Sequence, residues 1–131
     1  MKKKIIILFI IVLLLVVGLS GCTDSNSESS NYLSVFEVCE HPNKYLYQEI
    51  TIKGYYFEDS WGTLSFKAVV EDTSQHVYGY AIELTCYDIL EQHTLVKGGI
   101  YLFEGTLNQN LRDVLKEHMP LRLAVHNITA V

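Results

Sequence analysis

Hydrophobic and polar positions divide the chain into an apolar run, a polar run and a long alternating stretch. Residues 5–17 are unbroken apolar, residues 23–31 (TDSNSESSN) hold no apolar side chain, and alternation begins at Tyr32. The alternating part opens with a helix start. Ser34 can cap while Glu37 at N3 reaches back, Leu33 can staple onto Val38, and Pro42 should stop the helix near His41. Residues 49–57 place Ile50, Ile52, Gly54 and Tyr56 on one side, which predicts a long strand with a bulge or sharp coil at Gly54. Residues 64–71 follow with Leu64, Phe66, Ala68 and Val70 inward, and residues 76–84 with Tyr78, Tyr80, Ile82 and Leu84 on one face. The turn-rich connections EDSWGT and DTSQ join these strands as an antiparallel meander. Asp88 with Glu91 marks a second short helix over 89–94. After Gly98-Gly99, residues 100–107 form a fourth strand with Tyr101, Phe103 and Leu107 on one side. Asn110 with Asp113 permits a helical turn through Lys116, ended by Pro120. Leu121, Leu123 and Val125 open a fifth strand, with Ile128 returning to the core after a bulge.

The order is helix, three strands, short helix, two strands. It predicts a mainly β fold, a five-stranded OB-fold-like barrel with a short N-terminal helix and a short helix between strands 3 and 4. An open α+β sheet of the same elements is the alternative. Gly54, Gly79 and Gly105 inside strands favour closure, because a small barrel needs strong curvature. Residues 32–131 fit one domain without internal repeats. The segments Ser34-Val35-Phe36-Glu37-Val38, Pro42-Asn43-Lys44-Tyr45 and Glu49-Ile50-Thr51-Ile52-Lys53-Gly54 resemble the opening of small prokaryotic OB-fold proteins of the tRNA-anticodon-binding-like type. Leu84-Thr85-Cys86 and the run from Lys97 to Gly105 resemble that group's third and fourth strands. The resemblance implies the fold; the basic surface of nucleic-acid-binding members is missing here.

The apolar run follows Lys2, Lys3 and Lys4 and ends in Leu19-Ser20-Gly21-Cys22. A charged n-region, an apolar h-region and small residues before a cysteine form the layout of a secretory signal. The tetrapeptide resembles the lipobox of prokaryotic lipoproteins. That resemblance implies cleavage after residue 21 and a diacylglyceryl group on Cys22. Residues 1–21 are then signal, 22–31 a lipidated cysteine and disordered tether, and the domain sits on the extracytoplasmic side of the cell membrane. An uncleaved spanning helix is the alternative, and would need about 20 apolar residues. Losing residues 1–21 removes three lysines and no acids, so the formal net charge moves from −5 to −8. Such a charge argues against non-specific nucleic-acid binding.

With Cys22 lipidated, Cys39 and Cys86 remain. Outside the cytoplasm they can form a disulfide, worth about 4 kcal/mol in the chain-entropy model, or stay as buried free thiols. OB barrels bind ligands on the face of strands 2 and 3, framed by the 1–2 and 4–5 loops. That region offers Trp61, Ser65, Lys67, Val69, Val77, Gly79 and Ala81, with Asn108, Gln109 and Asn110 in the last loop. Trp61, Lys67, Asn108 and Asn110 are therefore the candidate ligand-face residues, Trp61 by stacking on a base or sugar unless it folds over the barrel mouth. Tyr45 and Tyr47 are read as loop residues, and most other tyrosines as strand formers.

Histidines 41, 76, 93, 118 and 126 show no metal-ligand spacing, and no nucleophile or phosphate-loop motif occurs. Glu58-Asp59 and Glu71-Asp72 read as solvated turns. Asn127-Ile128-Thr129 is a glycosylation sequon. No catalytic residue, metal site or cofactor is nominated. The expectation is a lipid-anchored binding module for a protein, glycan or small ligand, rather than an enzyme. Binding of single-stranded nucleic acid or oligosaccharide by the barrel face, or a metal-dependent enzyme assembled from distant residues, are the alternatives.

Overall fold

A computed structural model of the protein describes residues 31–73 and 80–131. The expected signal stretch, Cys22 and most of the expected tether lie outside the described residues, as do His76, Val77, Tyr78 and Gly79 of the third expected strand. The domain begins with a two-residue strand, β1 (Leu33–Ser34), pairing in parallel with Ile52 and Lys53. Helix α1 (Val35–Glu40) follows, and Ser34 Oγ accepts the Glu37 N–H at 3.0 Å, so the expected cap forms. The Glu37 carboxylate does not complete the expected box in its simplest form; it accepts the Tyr45 hydroxyl at 2.9 Å. Tyr45 belongs to a one-turn helix, α2 (Pro42–Tyr45), where the sequence reading had a loop. Proline at the first helical position presets φ and lacks only an N–H that would go unpaired.

Strand β2 (Glu49–Trp61) runs four residues beyond the expected end. Its first half pairs antiparallel with β5 (Ile100–Gln109) and its second half with β3 (Leu64–Val70), the change of partner falling at Tyr55. A single strand serves two neighbours only if it bends sharply, and Gly54 sits at the bend. A Cβ there would lie 2.5 Å from Val69 Cγ2 and 2.9 Å from the Val70 carbonyl oxygen. Of the two devices expected at Gly54, the sharp coil is therefore the one present. The bulge lies between β5 and β6 (Leu121–Ala130). Glu104 faces Asn127 while Gly105 faces Val125, leaving His126 as the extra residue and returning Ile128 to the core as expected.

Strand β4 (Ala81–Thr85) pairs antiparallel with β3 and parallel with β6. The ring order is thus β2-β3-β4-β6-β5 and back to β2, with β1 added at one edge. Five strands in this order, with helix α3 (Tyr87–Gln92) between β4 and β5, make an OB-fold-like sheet that closes partly into a ring. Helix α3 starts two residues earlier than expected. Its N-cap is Cys86 at a left-handed φ of 67°, and Asp88 lies within the first turn instead of capping it.

Two apolar clusters hold the domain. The interior one draws Ile52, Tyr56, Val69, Ile82, Leu84, Phe103, Leu107 and Leu123 from the ring, with Val35, Val38 and Leu90 from the helices. The second lies between β3, β4 and residues 110–120, and consists of Phe66, Ala68, Val70, Ala81, Leu115 and Met119. This corrects the expected facing of β3. Phe66, Ala68 and Val70 belong to the outer cluster, whereas Val69, expected outward, is fully buried between Tyr56 and Ile82. Residues 68–70 are apolar on both faces, and alternation cannot say which face meets the interior.

Both close-approach glycines predict a stability effect. Gly54→Ala should cost about 1–3 kcal/mol by overpacking. Gly105→Ala should cost more, since its Cβ would meet a backbone oxygen, that of Ala124, at 2.2 Å. Urea unfolding followed by circular dichroism measures both, and a Gly105→Ala midpoint equal to wild type would contradict this β5–β6 register.

Candidate binding cleft

Along β4 the alternation turns Ile82 and Leu84 inward and leaves Glu83 on the outer side with Ala81. Glu83 is nonetheless 0% exposed. Its two carboxylate oxygens are claimed separately: Asn110 Nδ2 donates to Oε2 at 2.7 Å, and Arg112 Nη1 donates to Oε1 at 2.5 Å. A carboxylate can be buried only if it is paired and hydrogen-bonded, and both partners come from residues 110–120. That segment is a strap. Asn110 Oδ1 accepts the Arg112 N–H at 3.1 Å, and the Lys116 N–H reaches Arg112 O at 2.9 Å, so the expected helical turn appears as consecutive turns. Burial works against the charge on Arg112. The hydrogen bond and charge of Glu83, joined by Tyr87, outweigh it and raise its pKa.

The clasp draws Leu115 and Met119, both 0% exposed, onto Phe66, Ala68, Val70 and Ala81. This is the strand 2–3 face on which OB folds take ligands; here the chain's own loop covers it. Of the expected ligand-face residues, Lys67, Asn108 and Asn110 are not brought together. Asn110 is buried in the clasp, and Val69 and Ala81 are buried in the two clusters. Asn108 lies in β5 rather than a loop, opposite Arg122, its amide donating to Thr106 O at 3.1 Å. Lys67 stands 5.5 Å from the Tyr87 ring centroid, in a separate groove of about 490 Å³ walled by Glu58, Asp59 and Glu91. Trp61 ends β2, and its side chain lies outside what the structure describes.

Beside the strap lies a cleft of about 600 Å³. One wall is helical, formed by Cys39, Pro42, Asn43 and Leu46; the base is Tyr80 and Ala81; the other wall is the strap with its flanks, from Gln109 through Lys116 and His118 to Leu121. The helical wall is pinned to the start of β4. Tyr80 donates its hydroxyl to Glu40 at 2.5 Å and meets the Phe36 ring edge-on at 4.8 Å, while the Phe36 N–H donates to Glu71 at 2.8 Å. The sequence does not reveal this cleft, because α2 reads as a loop and nothing in the alternation singles out Glu83. The available signal was an acid, Glu83, between the inward Ile82 and Leu84.

Of the two states left open for Cys39 and Cys86, the free thiols are the one present here. They occupy different surroundings: Cys39 is half-buried on α1, whereas Cys86 is exposed at the start of α3. Burial, and then the charges of Glu71 and Glu40, push the Cys39 thiol up to about 11. Burial also raises Tyr56, helped by its 2.8 Å hydrogen bond to Glu58. Among the described residues no three His, Cys, Asp or Glu side chains converge as a metal site, and His126 pairs with Glu49. No helix among them is long and apolar enough to cross a membrane.

No protein-family model matches this chain, and no curated protein matches it. Solved structures do. An OBody, AM3L15, bound to hen egg-white lysozyme matches with a TM-score of 0.54 at 12% identity, over 78% of this chain and 94% of that one. A second, AM3L09, gives 0.54 at 11% over 79% and 97%. A putative aspartyl-tRNA synthetase from Leishmania major Friedlin gives 0.55 at 15%, over 83% of this chain, which spans 22% of that protein. At such identities the likeness shows the fold alone, and that fold is OB-fold-like.

The clasp and the thiols each predict a measurement. Arg112→Ala leaves a buried carboxylate short of a charged partner and should cost about 2 kcal/mol, with faster chymotryptic nicking of the strap. Lys116→Ala removes only an exposed pair with Asp113 and should cost within about 0.5 kcal/mol. Equal unfolding midpoints for the two would show that the clasp does not hold the strap in place. Because the folded Cys39 holds its proton above the ordinary 9.0, the stability it contributes is whole below pH 9 and is lost as pH rises toward 11. A Cys39→Ala variant should lose less stability than wild type between those values in pH-dependent urea unfolding.

Proposed function

We propose that this chain is a lipid-anchored, extracytoplasmic binding module, not an enzyme, and that it holds its partner in the cleft between α1–α2 and the strap. The observation that carries this reading is the displacement of open surface. The face that OB folds use is covered by the chain's own loop, while the adjoining 600 Å³ cleft is of ligand-site size and combines apolar walls with a few polar groups. The OB-fold-like neighbours support a binding role, since two of them are bound to hen egg-white lysozyme. The lipobox-like Leu19-Ser20-Gly21-Cys22 supports the anchor, through a diacylglyceryl group whose two chains hold stably where one would not. The covered face and an acidic composition weigh against nucleic acid or oligosaccharide on the barrel face.

The reading separates into two measurements in the native host. The wild-type chain should sediment with membranes and take up a clickable palmitate analogue, whereas Cys22→Ala should lose the label; a labelled variant would sink the anchor. A photo-crosslinking residue at Leu111, on the cleft rim, should capture partner in preference to one at Thr51 on the far strand. Equal or no capture at both positions would overturn the cleft as the binding site.

A further inference from the structure

The cleft has a charge pattern at odds with the domain around it. Residues 32–131 carry thirteen carboxylates against seven lysines and arginines, yet among the described residues no Asp or Glu lines the cleft. The ionisable side chains on its strap wall are Lys116 and His118. On the helical wall, Cys39 stays neutral at physiological pH, with Glu40 and Glu71 behind it. Glu40 is taken by the Tyr80 hydroxyl and Glu71 by the Phe36 N–H, so both acids are directed to partners of their own. The remaining lining is largely apolar, including Leu46, Ala81 and Leu121, with amides at Asn43, Gln109 and Asn110.

From this pattern we propose that the cleft takes a small amphiphilic anion, its apolar body against Leu46, Ala81 and Leu121 and its carboxylate or phosphate turned toward Lys116. The inference rests on the cleft being the binding site and adds the ligand's chemistry. Lys116 currently pairs with Asp113 at 3.0 Å, both side chains exposed. Such a pair contributes little, and an anion entering from the cleft can take a further N–H of the same ammonium group, which has three donors. The helical wall, backed by Glu40 and Glu71, disfavours the charged end and so orients the ligand. A volume of 600 Å³ admits a compact amphiphile with room for water around the headgroup.

Cys39 supplies a reporter inside the cleft and exposed Cys86 a control elsewhere on the fold. The full chain in phosphatidylcholine nanodiscs is alkylated slowly with N-ethylmaleimide, and each cysteine peptide is quantified by mass spectrometry. The probes are 4-phenylbutyrate and 4-phenylbutyl phosphate, with 4-phenylbutanol and 4-phenylbutylamine carrying the same apolar body. At least one anion should protect Cys39 at about ten-fold lower concentration than the alcohol or the amine, the margin of a charge-assisted hydrogen bond, and Cys86 should be unaffected. Whether carboxylate, phosphate or both protect identifies the headgroup. Lys116→Gln should erase the margin, and Lys116→Arg should retain it, with an unchanged Cys86 rate reporting an intact fold. Equal protection by the alcohol overturns the anion and leaves the cleft as a binding site. No protection by any probe also overturns it, and if the Leu111 crosslink is absent as well, the functional reading falls with it.

Discussion

The buried carboxylate of Glu83 is the constraint around which the outer half of this molecule is arranged. A charge in a strand facing apolar neighbours is tolerable only when each oxygen has a partner. Asn110 and Arg112 meet that requirement together. Meeting it commits residues 110–120 to lie across β3 and β4, which in turn buries Leu115 and Met119. A single polar residue thus decides the position of a loop that has no regular helix or strand of its own. The clasp also has a negative function, since a slipped strap would leave Glu83 buried and unpaired, a state costlier than the gain from the correct one.

Closing the ring imposes the other strict requirement, and it acts through absent atoms. Strand β2 must leave β5 and join β3 within a residue or so, and β5 must approach β6 at the bulge around His126. At Gly54 and Gly105 there is no room for a Cβ. Curvature at these points lets Val69, Ile82 and Phe103 share one interior with Val35 and Val38 of α1. The interior and the strap cluster then lie on opposite faces of β3, which explains why residues 68–70 are all buried.

The strand order and most strand limits were legible in the sequence because alternation reports which residues share a face. The cap at Ser34, the bend at Gly54 and the return of Ile128 after a bulge were legible for the same local reasons. What alternation could not report was the identity of the faces in β3, since both are apolar and only the strap's position distinguishes them. The cleft was less legible still. It depends on α2, a helix of one turn, and on contacts between residues 27 and 29 positions apart in the clasp. Of the expected ligand-face residues, Asn110 is the one whose amide is engaged within the fold, donating to the buried Glu83.

The covered face also bears on how an acidic domain can bind an anion. Net charge acts at long range, and at physiological salt its field is screened beyond roughly 8–10 Å. It therefore slows the approach of an anion more than it weakens a complex once formed. Inside a partly enclosed cleft the nearest charges dominate, because water is partly displaced and the effective dielectric falls. There the local balance is set by Lys116 on one wall against acids already engaged on the other. A polyanion such as nucleic acid would have to lie along the acidic outer surface and would feel the whole field. A small anion that enters the cleft feels chiefly its walls, so the same composition that turns away the first is compatible with the second.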